Sequence, residues 1–161
     1  METSWNDCGS YHLSINRHHH QRIMIISEFN VLAGFQVFND KYFNGELPIP
    51  TVVIRHSYRT LGYFHCELDD FNNIVNPIIE MTDNYDYTES QFRDILVHEM
   101  IHYYLVHTKK DIKCKHGRVF KKMANEFNSK YGMNITPTID IEAYSIKEGN
   151  SNFFFKLCTL F

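Results

Sequence analysis

The sequence predicts an α+β domain from three observations. Apolar residues recur at helical spacing between Phe29 and Tyr42, three short strand-like runs lie between Thr51 and Met81, and two further helices begin near Glu89 and Gly117. The expected order is an N-terminal helix, a small three-stranded antiparallel sheet, a helix carrying His98-Glu99-Met100-Ile101-His102, and a following helix entered just after His116. Residues 1–26 are expected to form a disordered leader, 27–133 the folded domain and 134–161 a C-terminal tail.

The leader is polar, rich in histidine and asparagine, and without a period. Its His18-His19-His20 run lies on a chain that does not preorganise ligands. Ser27 is a helix N-cap residue, and Phe29, Leu32, Phe35, Phe38 and Tyr42 follow at helical spacing until Asn44-Gly45 ends the run. Pro48 and Pro50 open an extended region in which Thr51 to Arg55, Leu61 to Leu68 and Ile74 to Met81 read as strands, with turns at Thr60-Leu61-Gly62 and Asp69-Asp70. Pro77 removes a ladder donor from the third run, which places that strand at a sheet edge or a bulge. As an edge, it would offer backbone groups to an extended peptide.

Thr88, followed three positions later by Gln91, is a capping-box start. Phe92, Ile95, Leu96, Ile101 and Leu105 then keep helical spacing to about His107. The polar stretch Thr108 to Lys115 is long enough to reverse the chain. A helix follows from about Gly117 to Tyr131, expected to bury Val119, Phe120, Met123 and Phe127 before Gly132 ends it. Ile135 to Tyr144 and Phe153 to Leu160 read as short strands without visible chemistry.

Two imidazoles four residues apart on one helix point the same way and can grip one zinc ion, so His98 and His102 are candidate ligands. Glu99 between them is placed to act as general base on a zinc-activated water. A zinc that activates water takes three protein ligands and leaves a fourth position open. The metzincin continuation would need glycine and histidine at the third and sixth positions after His102, where the chain has Leu105 and Thr108. The third ligand must therefore come from beyond the helix, where His116 and Glu126 compete. His116, at the mouth of the next helix, is favoured, with Gly117 beside it permitting close approach, whereas Glu126 lies nearly three turns further along. His107 has rotated off the metal face. Tyr103, Tyr104, His107 and Arg118 are the candidates for oxyanion stabilisation.

A chain of 161 residues with 43% hydrophobic and 15% aromatic residues has enough apolar material for one domain with a core. Its net charge of -3 gives no global attraction to nucleic acid or anionic membranes. Locally, Lys109, Lys110, Lys113, Lys115, Arg118, Lys121 and Lys122 crowd the segment around His116, a solvated basic loop or a surface for DNA. Cys8, Cys66, Cys114 and Cys158 form no Cys-x-x-Cys pair and read as free thiols. No stretch approaches a membrane span or a secretory signal core, and a cytoplasmic location is the expectation.

Several ordered motifs together carry a family resemblance. Phe38-Asn39-Asp40-Lys41-Tyr42-Phe43-Asn44-Gly45-Glu46-Leu47, Arg59-Thr60-Leu61-Gly62-Tyr63, the segment from Leu96 to His102 and His116-Gly117-Arg118-Val119-Phe120 resemble the SprT-like domain family, which includes the Spartan DNA-protein crosslink protease. The resemblance runs from about Glu28 to Met133. It implies a small zincin-like metallopeptidase fold in which His98, His102 and His116 bind one zinc and Glu99 is catalytic. Phe154-Phe155-Lys156-Leu157-Cys158 looks like the approach to the first knuckle of a zinc ribbon, truncated or degenerate here because no partner cysteine follows. The expected activity is zinc-dependent endopeptidase cleavage of a protein or peptide. The alternatives are a DNA-associated protein acting on DNA-bound or crosslinked proteins, with DNA held by Lys109 to Lys122, and a zinc-stabilised binding module without turnover.

Overall fold

The computed structural model describes residues 23–113 and 115–147. Expectations for residues 1–22, including Cys8 and the His18-His20 run, for Cys114, and for a strand and Cys158 within 153–160 fall outside them. The described elements, in chain order, are β1 (Ile23–Met24), α1 (Glu28–Phe43), β2 (Thr51–Arg55), β3 (Gly62–Leu68), β4 (Ile74–Thr82), β5 (Tyr85–Thr88), α2 (Glu89–His107), α3 (Arg118–Tyr131), a 3-10 turn (Ile141–Ala143) and β6 (Ser145–Ile146). The fold is mixed α+β, with two three-stranded sheets ordered β1-β5-β6 and β2-β4-β3.

Ser27 caps α1 by accepting from the Asn30 N–H at 3.2 Å, and Asn44 ends it in the left-handed conformation. The buried stripe of α1 is Val31, Phe35, Asn39 and Phe43. That is a correction to the expected face, since Phe29 is 79% exposed. Asn39 belongs to the stripe because its amide is satisfied at both ends, donating to the Leu47 carbonyl at 2.8 Å and accepting from the Leu47 N–H at 3.2 Å. α1 crosses α2 at Gly34, where an added Cβ would stand 2.9 Å from the Phe92 ring.

The β2-β4-β3 sheet is mixed rather than antiparallel: β2 runs parallel to β4, and β3 antiparallel to it. The tight Asp69–Asn73 turn makes β3 and β4 a hairpin, so β3 serves as the crossover that a parallel β2/β4 pair requires. β4 is therefore the central strand and not an edge. Pro77 is tolerated because it lies just before the β2 ladder, which begins at Thr51 opposite Ile78, and beside the register shift between His65 and Glu67. The edge on the other side is β3.

α2 starts at the expected capping box, with both reciprocal Thr88/Gln91 bonds formed. Every residue from Ile95 to Tyr103 is buried, so α2 is the central helix of the domain, with sheet on one side and α1 and α3 on others. Tyr103 stacks between Phe35 and Phe64, at 6.3 and 4.9 Å, and donates its hydroxyl to the Pro48 carbonyl. α3 buries Phe120, Ala124 and Phe127, while Val119 is exposed and Met123 only half-buried.

Two segments behave differently from expectation at the ends. Ile23 and Met24, placed by the sequence in the leader, pair antiparallel with β5. Ile135 to Tyr144 forms no strand; it is an ordered strap leading to β6, which pairs with the other side of β5. Among the described residues no helix is long and apolar enough to cross a membrane.

Candidate metal centre

The helical period sets the first two imidazoles. His98 and His102 lie one turn apart on the same face of α2, with Nε2 atoms 3.2 Å apart. The loop after α2 returns the chain so that His116, beside the Gly117 N-cap of α3, brings its Nε2 to 2.9 Å from that of His98 and 3.0 Å from that of His102. His116 completes the group that the sequence left open between two candidates. Glu126 is exposed and faces Lys122 at 3.9 Å, and His107 lies outside the cluster. Gly117 is not what permits the approach, since a Cβ there would meet nothing closer than 3.8 Å.

Three imidazole nitrogens cannot all satisfy one another. At most one proton can sit between any pair, so a converging triangle of Nε2 atoms calls for a cation. Nitrogen ligands at about 2.0–2.1 Å from a tetrahedral zinc stand roughly 3.3–3.4 Å apart, close to the observed spacing. The donor set of His98, His102 and His116 could thus hold one metal ion and fits zinc.

The surroundings hold the rings in place. Phe120 lies beneath all three, with centroids 4.8, 4.5 and 4.7 Å from those of His98, His102 and His116. Burial, then the neighbouring imidazoles, pushes His98 down to about 3, while a hydrogen bond to the Thr136 carbonyl opposes the shift. Burial likewise brings His102 to about 4, and lowers the exposed His116. Glu99 is buried against the start of β3, and desolvation raises it to about 8 although the Phe64 N–H donates to its carboxylate. Gly62 makes room for it: an added Cβ would lie 2.9 Å from Glu99 Oε1 and 3.0 Å from Ile95 Cγ2.

These shifts set how the metal-free protein responds to pH. His98 and His102 stay neutral in the fold but bind protons near pH 6.5 once unfolded, so stability falls as the pH drops below that value. Glu99 keeps its proton to about 8 in the fold and releases it near 4.5 when unfolded, so stability also falls as the pH rises between those values. The melting temperature of the metal-free protein is expected to peak near pH 6.5, and Glu99→Gln to remove the decline on the alkaline side. Thermal unfolding from pH 5 to 8.5 after chelation checks this, and an unchanged alkaline limb in the variant contradicts it.

A cavity of about 350 Å³ opens over the three imidazoles and Glu99. The loop and edge strand Arg59–Phe64 and, from the strap, Pro137, Thr138, Ile139 and Ile141 line it. Sequence reasoning missed the strap, which carries no local signal. Asn128 of α3 clamps it by exchanging two hydrogen bonds with the Ile135 backbone at 2.8 and 2.9 Å, and Asp94 accepts from the Asn134 N–H at 2.9 Å. Through Thr136 this clamp reaches His98. Asn128→Ala is expected to weaken zinc binding about tenfold in competition with a chelating dye. Unchanged affinity would reduce the strap to a structural wall.

None of the four sequence candidates for oxyanion stabilisation lines this cavity. Tyr103 is committed to Pro48, Tyr104 packs on Phe43 at 5.5 Å, His107 borders a separate 180 Å³ cavity, and Arg118 stands exposed on α3. Cys66 is a free, half-buried thiol on β3. Residues 31–140 match the model of the SprT-like family. No curated protein matches the chain.

Proposed function

The chain belongs to the SprT-like family, and with the imidazole triad in view we propose that it is a zinc-dependent metalloendopeptidase of zincin-like fold. The observation that carries this reading is the meeting, in one open cavity, of three Nε2 atoms with a buried carboxyl from the same helix. His98, His102 and His116 hold the ion. When bound, zinc would supply a Lewis acid that polarises a peptide carbonyl and lowers the pKa of bound water toward about 7.

The chain's own residues do the rest. A cation held by the three imidazoles would favour the ionised form of Glu99 over the metal-free, protonated one. As the carboxylate, Glu99 takes the proton of the attacking water and returns it to the departing amine. Phe64 orients that carboxylate through its N–H. β3 is an edge strand whose first residues line the cavity, so it, rather than β4, is placed to add an extended substrate strand. Zinc analysis paired with casein cleavage tests the reading: one zinc per chain, activity lost to a chelator and restored by zinc. A zinc-loaded protein that leaves casein and histones intact would instead be a binding module.

A second reading, DNA-associated cleavage of DNA-bound proteins, is favoured by one observation. Lys113, Lys115, Arg118 and Lys121 are all exposed within five residues of His116 in the chain, and the Lys121 charge acts on the His116 imidazole. Single-stranded DNA is expected to bind with a steep salt dependence that flattens when Lys109, Lys110, Lys113 and Lys115 are changed to Gln. Salt-insensitive binding would leave these residues as a solvated loop.

A further inference from the structure

Among the described residues lining the cavity, Arg59 carries the only fixed charge other than buried Glu99. Elsewhere the arginines of the sheet and of α2 are matched: Arg55 to Glu80 at 2.5 Å and Arg93 to Asp94 at 2.8 Å. No carboxylate is paired with Arg59 among the described residues. Arg59 is exposed at the rim of this cavity, so its unmatched guanidinium is hydrated and free to exchange that water for an anionic group of a bound ligand.

The backbone beneath Arg59 is braced while its side chain remains exposed. Ser57 Oγ accepts from the N–H groups of Arg59 and Thr60, both at 3.3 Å. Ser57 is itself tied to buried Thr82 by its N–H at 3.0 Å and by its carbonyl, which accepts from the Thr82 hydroxyl at 2.9 Å. On the far side of the turn the Leu61 carbonyl accepts from the Thr82 N–H at 3.1 Å, and the Tyr58 carbonyl accepts from the Tyr85 hydroxyl at 3.1 Å. The end of β4 and the start of β5 thus hold the loop on both flanks of Arg59. The braced loop fixes the Arg59 backbone at the rim of the cavity, and the side chain stays within reach of it.

We propose that Arg59 is a specificity-determining residue that grips a carboxylate of the substrate peptide. Arg forms a paired, forked contact with a carboxylate that neither Lys nor a neutral donor reproduces. The carboxylate is an acidic side chain close to the bond to be cut, or the free C-terminus of the peptide. The inference rests on the peptidase reading for the nature of the ligand, and the cavity of about 350 Å³ is of a size to receive such a group beside the zinc.

The test measures binding, so it does not depend on turnover. Fluorescein-labelled peptides carry one Glu moved stepwise through the sequence, each with a Gln counterpart, and each ends in a carboxylate or an amide. They are titrated by anisotropy against zinc-loaded Glu99→Gln protein carrying Arg59, Arg59→Gln or Arg59→Lys. With Arg59 present, at least one Glu peptide, or the peptides with a free C-terminus, are expected to bind about tenfold tighter than their amide counterparts. Arg59→Gln erases the preference without weakening the amide peptides, and Arg59→Lys keeps only part of it. Preference at an internal Glu identifies the side chain, and preference for the free terminus identifies the C-terminal carboxylate. No preference with Arg59 present, a preference untouched by Arg59→Gln, or an equal loss for all peptides overturns the proposal. Cleavage by the parent protein is scored separately, so its absence would remove the peptidase reading and leave the Arg59 result standing.

Discussion

Glu99→Gln is expected to retain one zinc ion per chain and to lose casein cleavage by about a thousandfold. The amide matches the carboxyl in shape and can still accept the Phe64 N–H through its oxygen, so the packing between α2 and β3 survives. It cannot take a proton from water. Because Glu99 is not among the three converging nitrogen donors, metal content should not change. Zinc stoichiometry, melting temperature and cleavage rate, measured together, separate the chemical role from a structural one. Turnover near the parent rate would exclude Glu99 as the base.

Gly62→Ala is expected to lower cleavage by about a hundredfold while leaving zinc bound. Gly62 has no positive φ to demand glycine; what it supplies is clearance. The new methyl group would stand 2.9 Å from Glu99 Oε1 and 3.0 Å from Glu99 Cγ, inside van der Waals contact. Either the carboxyl or the β3 backbone must shift, and a base displaced by about 1 Å loses its line to the water. Full activity in this variant would mean that Glu99 moves aside without cost, and that its position is not as closely held as the packing indicates.

Features written in local chemistry were legible in the sequence. α2 has the bounds expected from its capping box and apolar period, and α1 and α3 stop at Asn44 and Gly132, each left-handed at the helix end. His98 and His102 followed from a single helical turn, and His116 was favoured over Glu126 from the length of the loop before it, without being settled. Where local and tertiary demands diverge, the reading failed. Phe29 fits the helical period of α1 but is exposed, while Asn39, polar on any scale, is buried because Leu47 satisfies its amide. Sheet order was hidden for a similar reason: the alternation of β2, β3 and β4 is the same whichever strand lies between the other two.

The sequence by itself determined the helices, the two histidines of α2 with Glu99 between them, and the chemistry they suit, because side-chain spacing on a helix follows from its pitch alone. Only the tertiary structure decided that His116 rather than Glu126 closes the triangle, that Phe120 supports its base, and that Gly62 admits the carboxyl. It alone brought Arg59 and the strap residues Pro137, Thr138, Ile139 and Ile141 to one cavity. These are contacts between segments distant in the chain, and their distances depend on how α2, the sheet and α3 pack, which no local pattern encodes.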